Sequence, residues 1–355
     1  MVETMSISVT KTTHSKLKDV DFNHLPFGKY FTDHMLVAEY ANGEWQSVEI
    51  KPYQPLALDP ALAAIHYGQS IFEGIKAFKN DDGEAVVFRP YENLKRFNTS
   101  AERMCMPAVP EEIFIEGMKQ LIAVDKDWIP SKPDHSLYIR PFMFATDEVL
   151  GVKPSDTYLF IIILSPTGPY YAAPMKICVE EVYTRAAPGG VGFAKNAGNY
   201  GGSLIATQIA KKTGYDQILW TDAFEHKWLQ EVGTMNVFFI IDGVAITPSL
   251  EEGTILAGVT RDSALTVLQE MGYPVEERRI SIDELIEAYK AGLVAEVFGT
   301  GTAVTISPIQ ELKYQDTVMK FDVGSMTIAP ELKSRLDDIK TGKVPDVHGW
   351  MVAVR

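Results

Sequence analysis

Residues 189–202 read Gly-Gly-Val-Gly-Phe-Ala-Lys-Asn-Ala-Gly-Asn-Tyr-Gly-Gly, six glycines with a single charge, Lys195, among them. Glycine reaches positive φ and lets a ligand approach the backbone, at an entropic cost. A lysine among small and apolar neighbours is poorly solvated, which favours the uncharged amine that a nucleophile or Schiff-base former needs. The same composition also suits a plain surface loop, so other groups must decide. Glu231, in Leu229-Gln-Glu-Val-Gly-Thr-Met-Asn236, precedes an apolar strand and is placed to accept from a protonated pyridine nitrogen, which turns such a ring into an electron sink. Gly258-Val259-Thr260 opens a helix, where backbone N–H groups favour phosphate. Gly299-Thr300-Gly301-Thr302-Ala303 follows a strand and offers a nest of donors with two hydroxyls. Arg96 lies off the apolar stripe of its helix. Singly these are caps and solvated side chains; together they point to a phosphorylated carbonyl cofactor.

Other chemistries fare worse. There is no G-x-x-x-x-G-K-[ST], and Lys195 stands where a dinucleotide fingerprint needs glycine or alanine. No G-x-S-x-G or H-E-x-x-H occurs, and the seven histidines are scattered, so no metal site is expected.

The elements that must position these residues follow from patterning. Residues 1–20 are polar and aperiodic and read as a loosely held arm. Asn42-Gly43 and Asp82-Gly83 each separate two β-rich runs and predict hairpins. Leu94, Phe97, Ala101 and Met104 recur at helical spacing across 90–105, and 113–124 reads as another helix. Residues 136–142 and 157–165 read as strands, the second continuously apolar and therefore central. Three prolines and a glycine in 165–174 mark an interdomain connection. The expected division is a small N-terminal domain over 1–164, a linker over 165–175 and a larger cofactor-binding domain over 176–355. The second domain is predicted to hold strands at 176–183, 217–221 and 294–298, and a hairpin turning at Asp242-Gly243. A helix is predicted at 203–212, one begins near Thr260, and the capping box Ser281-Ile-Asp-Glu284 opens another. Prominent hairpins make both domains α+β.

Composition sets the limits. The chain of 355 residues is long enough for two domains. Its 47 acidic against 33 basic residues, net −14, argue against a nucleic-acid partner. Two cysteines, Cys105 and Cys178, fit a reducing compartment. The longest strongly apolar run, 158–164, is strand-sized, so no membrane partner is expected. A soluble cytoplasmic protein is the expectation.

Seven segments, in order, now carry a resemblance. They are Phe31-Thr-Asp-His-Met35, Tyr67-Gly-Gln-Ser-Ile-Phe-Glu-Gly-Ile-Lys-Ala-Phe78, Leu137-Tyr-Ile-Arg-Pro141, Lys195-Asn-Ala-Gly-Asn-Tyr200, Glu231-Val-Gly-Thr-Met-Asn236, Gly258-Val-Thr-Arg261 and Phe298-Gly-Thr-Gly-Thr-Ala303. With them the chain resembles the branched-chain amino acid aminotransferases, fold-type IV pyridoxal 5'-phosphate enzymes, from about Phe27 to its end. The resemblance implies the two-domain architecture of that fold type, akin to D-amino acid aminotransferase. It implies reversible transamination of leucine, isoleucine and valine with 2-oxoglutarate by a ping-pong Schiff-base mechanism. Lys195 matches the catalytic lysine, Tyr200 the tyrosine on the cofactor's phenolic oxygen, and Glu231 the carboxylate on its ring nitrogen. Arg96, Val259, Thr260 and Thr302 match phosphate-binding positions and Leu256 the residue packed on the ring; Thr234, Asn236 and Gly258 complete the cofactor set. Thr302 and Ala303 also match the turn that holds the substrate α-carboxylate. Phe31, Tyr67, Phe72, Tyr138, Thr234 and Tyr200 match the lining of the side-chain pocket, and Arg140 the residue pairing with a distal carboxylate. A loop near Gly151 and Val152, contributed by the other subunit in this family, implies a homodimer. Some eukaryotic relatives carry Cys-x-x-Cys where this chain reads Val304-Thr-Ile-Ser307, so no thiol switch is expected there. The alternatives are another fold-type IV enzyme (a D-amino acid aminotransferase or an aminodeoxychorismate lyase) and a cofactor-free protein that kept the fold.

Overall fold

The computed structural model describes residues 6–170 and 173–354. The chain divides into two compact units: residues 1–170, 194–197 and 338–355 form the first, and 171–193 with 198–337 the second.

The first unit is built on an antiparallel-rich sheet. Its strands are β1 (Ile7–Val9), β2 (His34–Ala41), β3 (Glu44–Pro52), β4 (Ser70–Phe72), β5 (Ile75–Lys79), β6 (Ala85–Phe88), β7 (Ser136–Ala145) and β8 (Tyr158–Thr167). Both predicted hairpins are present, β2–β3 across Asn42-Gly43 and β5–β6 across Asp82-Gly83. The apolar β8 is central, paired with β2 on one side and β7 on the other. Three helices accompany the sheet, α1 (Ala63–Tyr67), α2 (Pro90–Arg103) and α3 (Gly117–Val124), the last entered through a π-helical turn at Glu112–Glu116. Phe97 of α2, Phe114 and Phe160 of β8 are fully buried, with ring centroids 5.5–5.8 Å apart. Edge and tilted contacts of this kind add to the area that three large rings remove from water.

The second unit holds β9 (Met175–Val179), β10 (Gln217–Thr221), β11 (Leu229–Val232), β12 (Asn236–Ile241), β13 (Val244–Thr247), β14 (Val275–Glu277), β15 (Val294–Gly301), β16 (Thr305–Tyr314) and β17 (Thr317–Lys320). Their order is β11-β10-β9-β16-β15-β12-β13-β14, with β17 on β16. Helices α4 (Ala197–Gly202), α5 (Leu204–Lys212), α6 (Val259–Glu270), α7 (Ile282–Lys290) and α8 (Ile328–Lys340) follow in chain order. Half of the predicted capping box is present: Ser281 Oγ accepts from Glu284 N at 3.0 Å, while the Glu284 carboxylate pairs with Arg278. At the start of α8 the buried Glu296 accepts from the N–H groups of Thr327, Ile328 and Ala329 at 2.6–2.8 Å, an anion on the positive end of a helix. No helix among the described residues is long and apolar enough to cross a membrane.

Three expectations need correction. From Ser6 onward the N-terminal arm is not loose, residues 1–5 lying outside the described residues: β1 pairs in parallel with β3, because Ile7 finds apolar partners that a local reading of the sequence cannot see. Residues 165–167 belong to β8 rather than to the linker, of which 171–172 lie outside the described residues. The end of the chain does not stay with the second unit. β18 (Met351–Ala353) pairs antiparallel with β6 and supplies the partner that this edge strand would otherwise lack.

The β10–β11 connection is closed by one carboxylate. Buried Asp222 accepts from the N–H groups of Phe224, Glu225, Lys227 and Trp228 at 2.9–3.0 Å. Burial alone would raise its pKa, but these four donors outweigh it and lower it from 3.8 to about 2. A depressed carboxyl stabilises the fold above its ordinary pKa and loses that contribution as pH falls through the folded value. Asp222→Asn should therefore lower stability by about 2 kcal/mol at neutral pH, the worth of holding this carboxyl that far below its ordinary pKa after a discount for solvent screening at the turn. The gap from the parent should close between pH 3.8 and about 2. Denaturant midpoints measured across that range check it.

Candidate active site

Lys195 sits in a four-residue segment that belongs with the first unit, and its main chain is pinned on both sides. Its carbonyl accepts from Phe72 N at 3.0 Å and its N–H donates to Ser100 Oγ at 2.9 Å. Ser100 is fully buried on α2 and donates in turn to Arg96 O at 2.9 Å. The lysine's Nζ lies 4.9 Å from the Phe72 ring centroid. The lysine is thus held by a strand end and a helix rather than by the glycines around it. Ser100 escaped the sequence reading, since a serine within a helix looks like any solvated one.

The same helix presents Arg96 to Glu73. Nε and Nη2 of Arg96 donate to Oε1 and Oε2 of Glu73 at 2.7 and 2.8 Å, a bidentate pair. Asn93 Nδ2 at 2.8 Å and Gly74 N at 3.0 Å complete the carboxylate's shell. Burial would push the Glu73 carboxyl up, yet Arg96, Lys195 and Asn93 outweigh it and hold it below its ordinary value. A Cβ at Gly74 would stand 2.1 Å from Tyr138 Oη, so any larger residue there would displace the Tyr138 ring.

Phe72, Tyr138 and Arg140 are brought together. The Arg140 guanidinium lies 4.8 Å from the Phe72 ring and 5.3 Å from that of Tyr138, whose Oη accepts from Nη2 at 3.2 Å. Arg140 Nε is buried without a partner among the described residues, so this cation is only partly satisfied. Phe31 stacks on Tyr53, with centroids 5.2 Å apart and planes 5° apart. Tyr67 is exposed and donates to Leu150 O, while Val152 is 84% exposed.

In the second unit Glu231 is buried on β11. It accepts from Leu256 N at 2.6 Å and pairs with Arg185 Nη2 at 2.9 Å. Arg185 also donates from Nη1 and Nη2 to Gly192 O at 3.3 and 3.1 Å. This arginine was missed. It was findable by the argument that singled out Lys195: one charge in the small and apolar run Ala186-Ala-Pro-Gly-Gly that follows it. Asn236 Nδ2 donates to Leu256 O at 2.9 Å, and a Cβ on Gly258 would meet Asn236 Oδ1 at 2.0 Å. Thr300, the register partner of Asn236 on β15, shares its face and keeps a buried Oγ1 with no partner among the described residues. α6 starts at Gly258 with no side-chain cap, with Val259 and Thr260 buried in its first turn. Thr302 and Ala303 form the β15–β16 turn; β15 runs through Gly301, two residues beyond the expected start of that turn. Thr234 is exposed in the β11–β12 turn, and Tyr200 is half-buried on α4.

A buried carboxylate with a fixed counter-cation, an uncapped helix start and an orphaned hydroxyl suit a ligand with a ring N–H and a phosphate. Residues 70–312 match the family model described as Amino-transferase class IV. Branched-chain-amino-acid aminotransferase 2 of Bacillus subtilis is 47% identical over 357 residues, which take in 99% of this chain and 97% of the relative. Among solved structures, the branched-chain amino acid aminotransferase of Escherichia coli aligns with a TM-score of 0.76 at 28% identity over 91% of this chain and 99% of its own. The T.th. branched-chain amino acid aminotransferase complexed with N-(5'-phosphopyridoxyl)-L-glutamate aligns with a TM-score of 0.72 at 27% identity over 90% of this chain and 98% of its own. The match runs through the pinned lysine and the buried glutamate alike, and the chain belongs to the branched-chain-amino-acid aminotransferases of fold type IV.

Proposed function

We propose that the protein transfers the amino group of L-leucine, L-isoleucine or L-valine to 2-oxoglutarate in two half-reactions on pyridoxal phosphate. The observation that carries this reading is the buried Glu231 carboxylate, oriented by Arg185 and Leu256 N. Pyridoxal phosphate, when bound, supplies a carbonyl that reacts with amines and a ring that takes up the electron pair released at Cα. Glu231 accepts the ring N–H and Lys195 provides the attachment point. Lys195 also moves the proton between the substrate Cα and the cofactor's C4′, a general acid–base task that a pinned main chain aims at one place. The phosphate is assigned to Arg96, the start of α6 and Thr302, and the phenolic oxygen to Tyr200. Phe31, Phe72 and Tyr138 line the side-chain pocket with apolar surface, as a branched chain requires. Arg140 receives the distal carboxylate of glutamate or 2-oxoglutarate through a cation that is only partly satisfied without it.

A homodimer fits an exposed apolar patch in the first unit. Asp147 O accepts from Ala63 N at 3.1 Å, Leu62 bridges to Glu148, and Tyr67 donates to Leu150 O, so the segment around Leu150 is tied to α1. Ile65 and Tyr67 on α1 and Leu150 and Val152 on the tied segment are apolar side chains 42–84% exposed. A patch of this kind marks an interaction surface, and we assign it to a second copy of the chain.

Three measurements test these assignments. The purified protein with pyridoxal phosphate should show a visible band that L-leucine removes and 2-oxoglutarate restores. In Lys195→Ala that cycle should slow by at least about a thousand-fold. A band that leucine leaves untouched would refute the substrate class. Arg140→Gln should raise KM for glutamate and 2-oxoglutarate at least about ten-fold, the worth of one charged hydrogen bond, while the leucine half-reaction stays within a few-fold. Leu150→Asp should sediment as a monomer at concentrations where the parent is a dimer.

A further inference from the structure

The segment that follows Phe31 is fastened to the N-terminal arm by a set of bonds that the reaction itself does not call for. Buried Asp33 accepts at Oδ2 from Ser15 Oγ (2.5 Å) and Trp128 Nε1 (3.0 Å), and at Oδ1 from Lys16 N (2.8 Å). Burial would raise the pKa of this carboxyl, but the Ser15, Lys16 and Trp128 donors outweigh it and hold it below its ordinary value. His34 is fastened as well. Thr12 N–H donates to its Nε2 at 2.8 Å, so the ring proton sits on Nδ1 and faces Asp125 Oδ1 at 2.7 Å. Asp33 O in turn accepts from Tyr53 N at 2.8 Å, and Tyr53 is the ring on which Phe31 stacks. Lys16 Nζ reaches the same ring, 5.5 Å from its centroid.

We infer that residues 12–16 form a strap that positions Phe31, with Asp33 and Lys16 as the positioning residues, and thereby tunes which branched side chains the protein accepts. The argument is mechanical. A stacked pair is only as fixed as its less constrained ring, and Tyr53 is held through its backbone by Asp33 and against its face by Lys16. Ser15 and Lys16 are exposed, so their loss should loosen the stack without opening the core. The inference rests on the reading of Phe31 as a pocket residue, and the experiment separates the two.

Lys16→Ala, Ser15→Ala and Phe31→Leu, each in the full-length pyridoxal-phosphate form, are compared for the leucine and valine half-reactions and for melting temperature. Phe31→Leu should change the leucine-to-valine ratio of kcat/KM. The two arm variants should shift the ratio in the same direction by about threefold or more, chiefly through KM, and Lys16→Ala, which breaks no bond to a buried carboxylate, should do so at an unchanged melting temperature. Lys16→Ala should add little in the Phe31→Leu background, as expected of residues acting through one contact. If Phe31→Leu shifts the ratio and the arm variants do not, the strap is structural only and the inference is overturned while the pocket reading stands. If Phe31→Leu leaves the ratio unaltered, the pocket reading fails and the inference with it.

Discussion

The buried pair of Arg185 and Glu231 is the interaction on which the order of the second unit's candidate residues depends. Neither charge could be left alone: stripping one partner from a buried pair costs about 3–5 kcal/mol, because the other stays desolvated and uncompensated. Together they do more than cancel. A carboxylate offers about four lone-pair sites, and Arg185 and Leu256 N engage the group without exhausting them. Glu231 is therefore both immobile and still an acceptor. The same hydrogen bond from Leu256 fixes the residue assigned to pack on the ring, and Asn236 grips that residue from its carbonyl side. Two hydrogen bonds thus fasten Leu256, just ahead of α6, and the charge on one side chain helps set the geometry of a backbone segment 25 residues away.

The first unit solves a related problem by different means. The main chain of Lys195, the residue assigned as the amine, is constrained on both sides while its Nζ lies on an aromatic face. Glu73 does for Arg96 what Arg185 does for Glu231, with the signs exchanged: a buried carboxylate holds the guanidinium by two of its N–H groups. In each unit, then, one buried ion pair orients the group that is assigned to the cofactor. Fork geometry allows this, whereas a lysine in place of either arginine would fix a point charge and no plane.

How much of this was legible in the sequence follows from the range of each interaction. Hairpins at Asn42-Gly43 and Asp82-Gly83, the helix over Leu94 to Met104 and the central β8 are written in adjacent residues, and local patterning found them. The return of β18 to β6 and the pairing of β1 with β3 join segments dozens to hundreds of residues apart, and no local signal encodes them. Candidate chemistry was legible where residue type is rare for its surroundings, as with Lys195 and Glu231. It was not legible for Ser100 and Glu73, whose importance lies in what they touch. Several of the assigned roles came from resemblance alone; geometry adds partners for Arg96, Arg140 and Asn236 that resemblance did not supply.

The glycines of 189–202 surround the lysine and serve the glutamate as well. Gly189 has a φ of +77°, a turn that L side chains rarely adopt. Gly192 does not need a positive φ; it needs emptiness, since a Cβ there would stand 2.5 Å from Ala186 Cβ and 2.6 Å from Thr254 O. That close approach coincides with the contact its own carbonyl makes to Arg185. The loop therefore packs tightly in order to hold the arginine that orients Glu231, and three residues later the chain is taken up by Phe72 and Ser100, which hold Lys195. Two requirements of the proposed chemistry, a fixed acceptor and a fixed amine, thus fall on consecutive stretches of one loop through unrelated interactions. This explains why a run so poor in side chains carries the only charge it does.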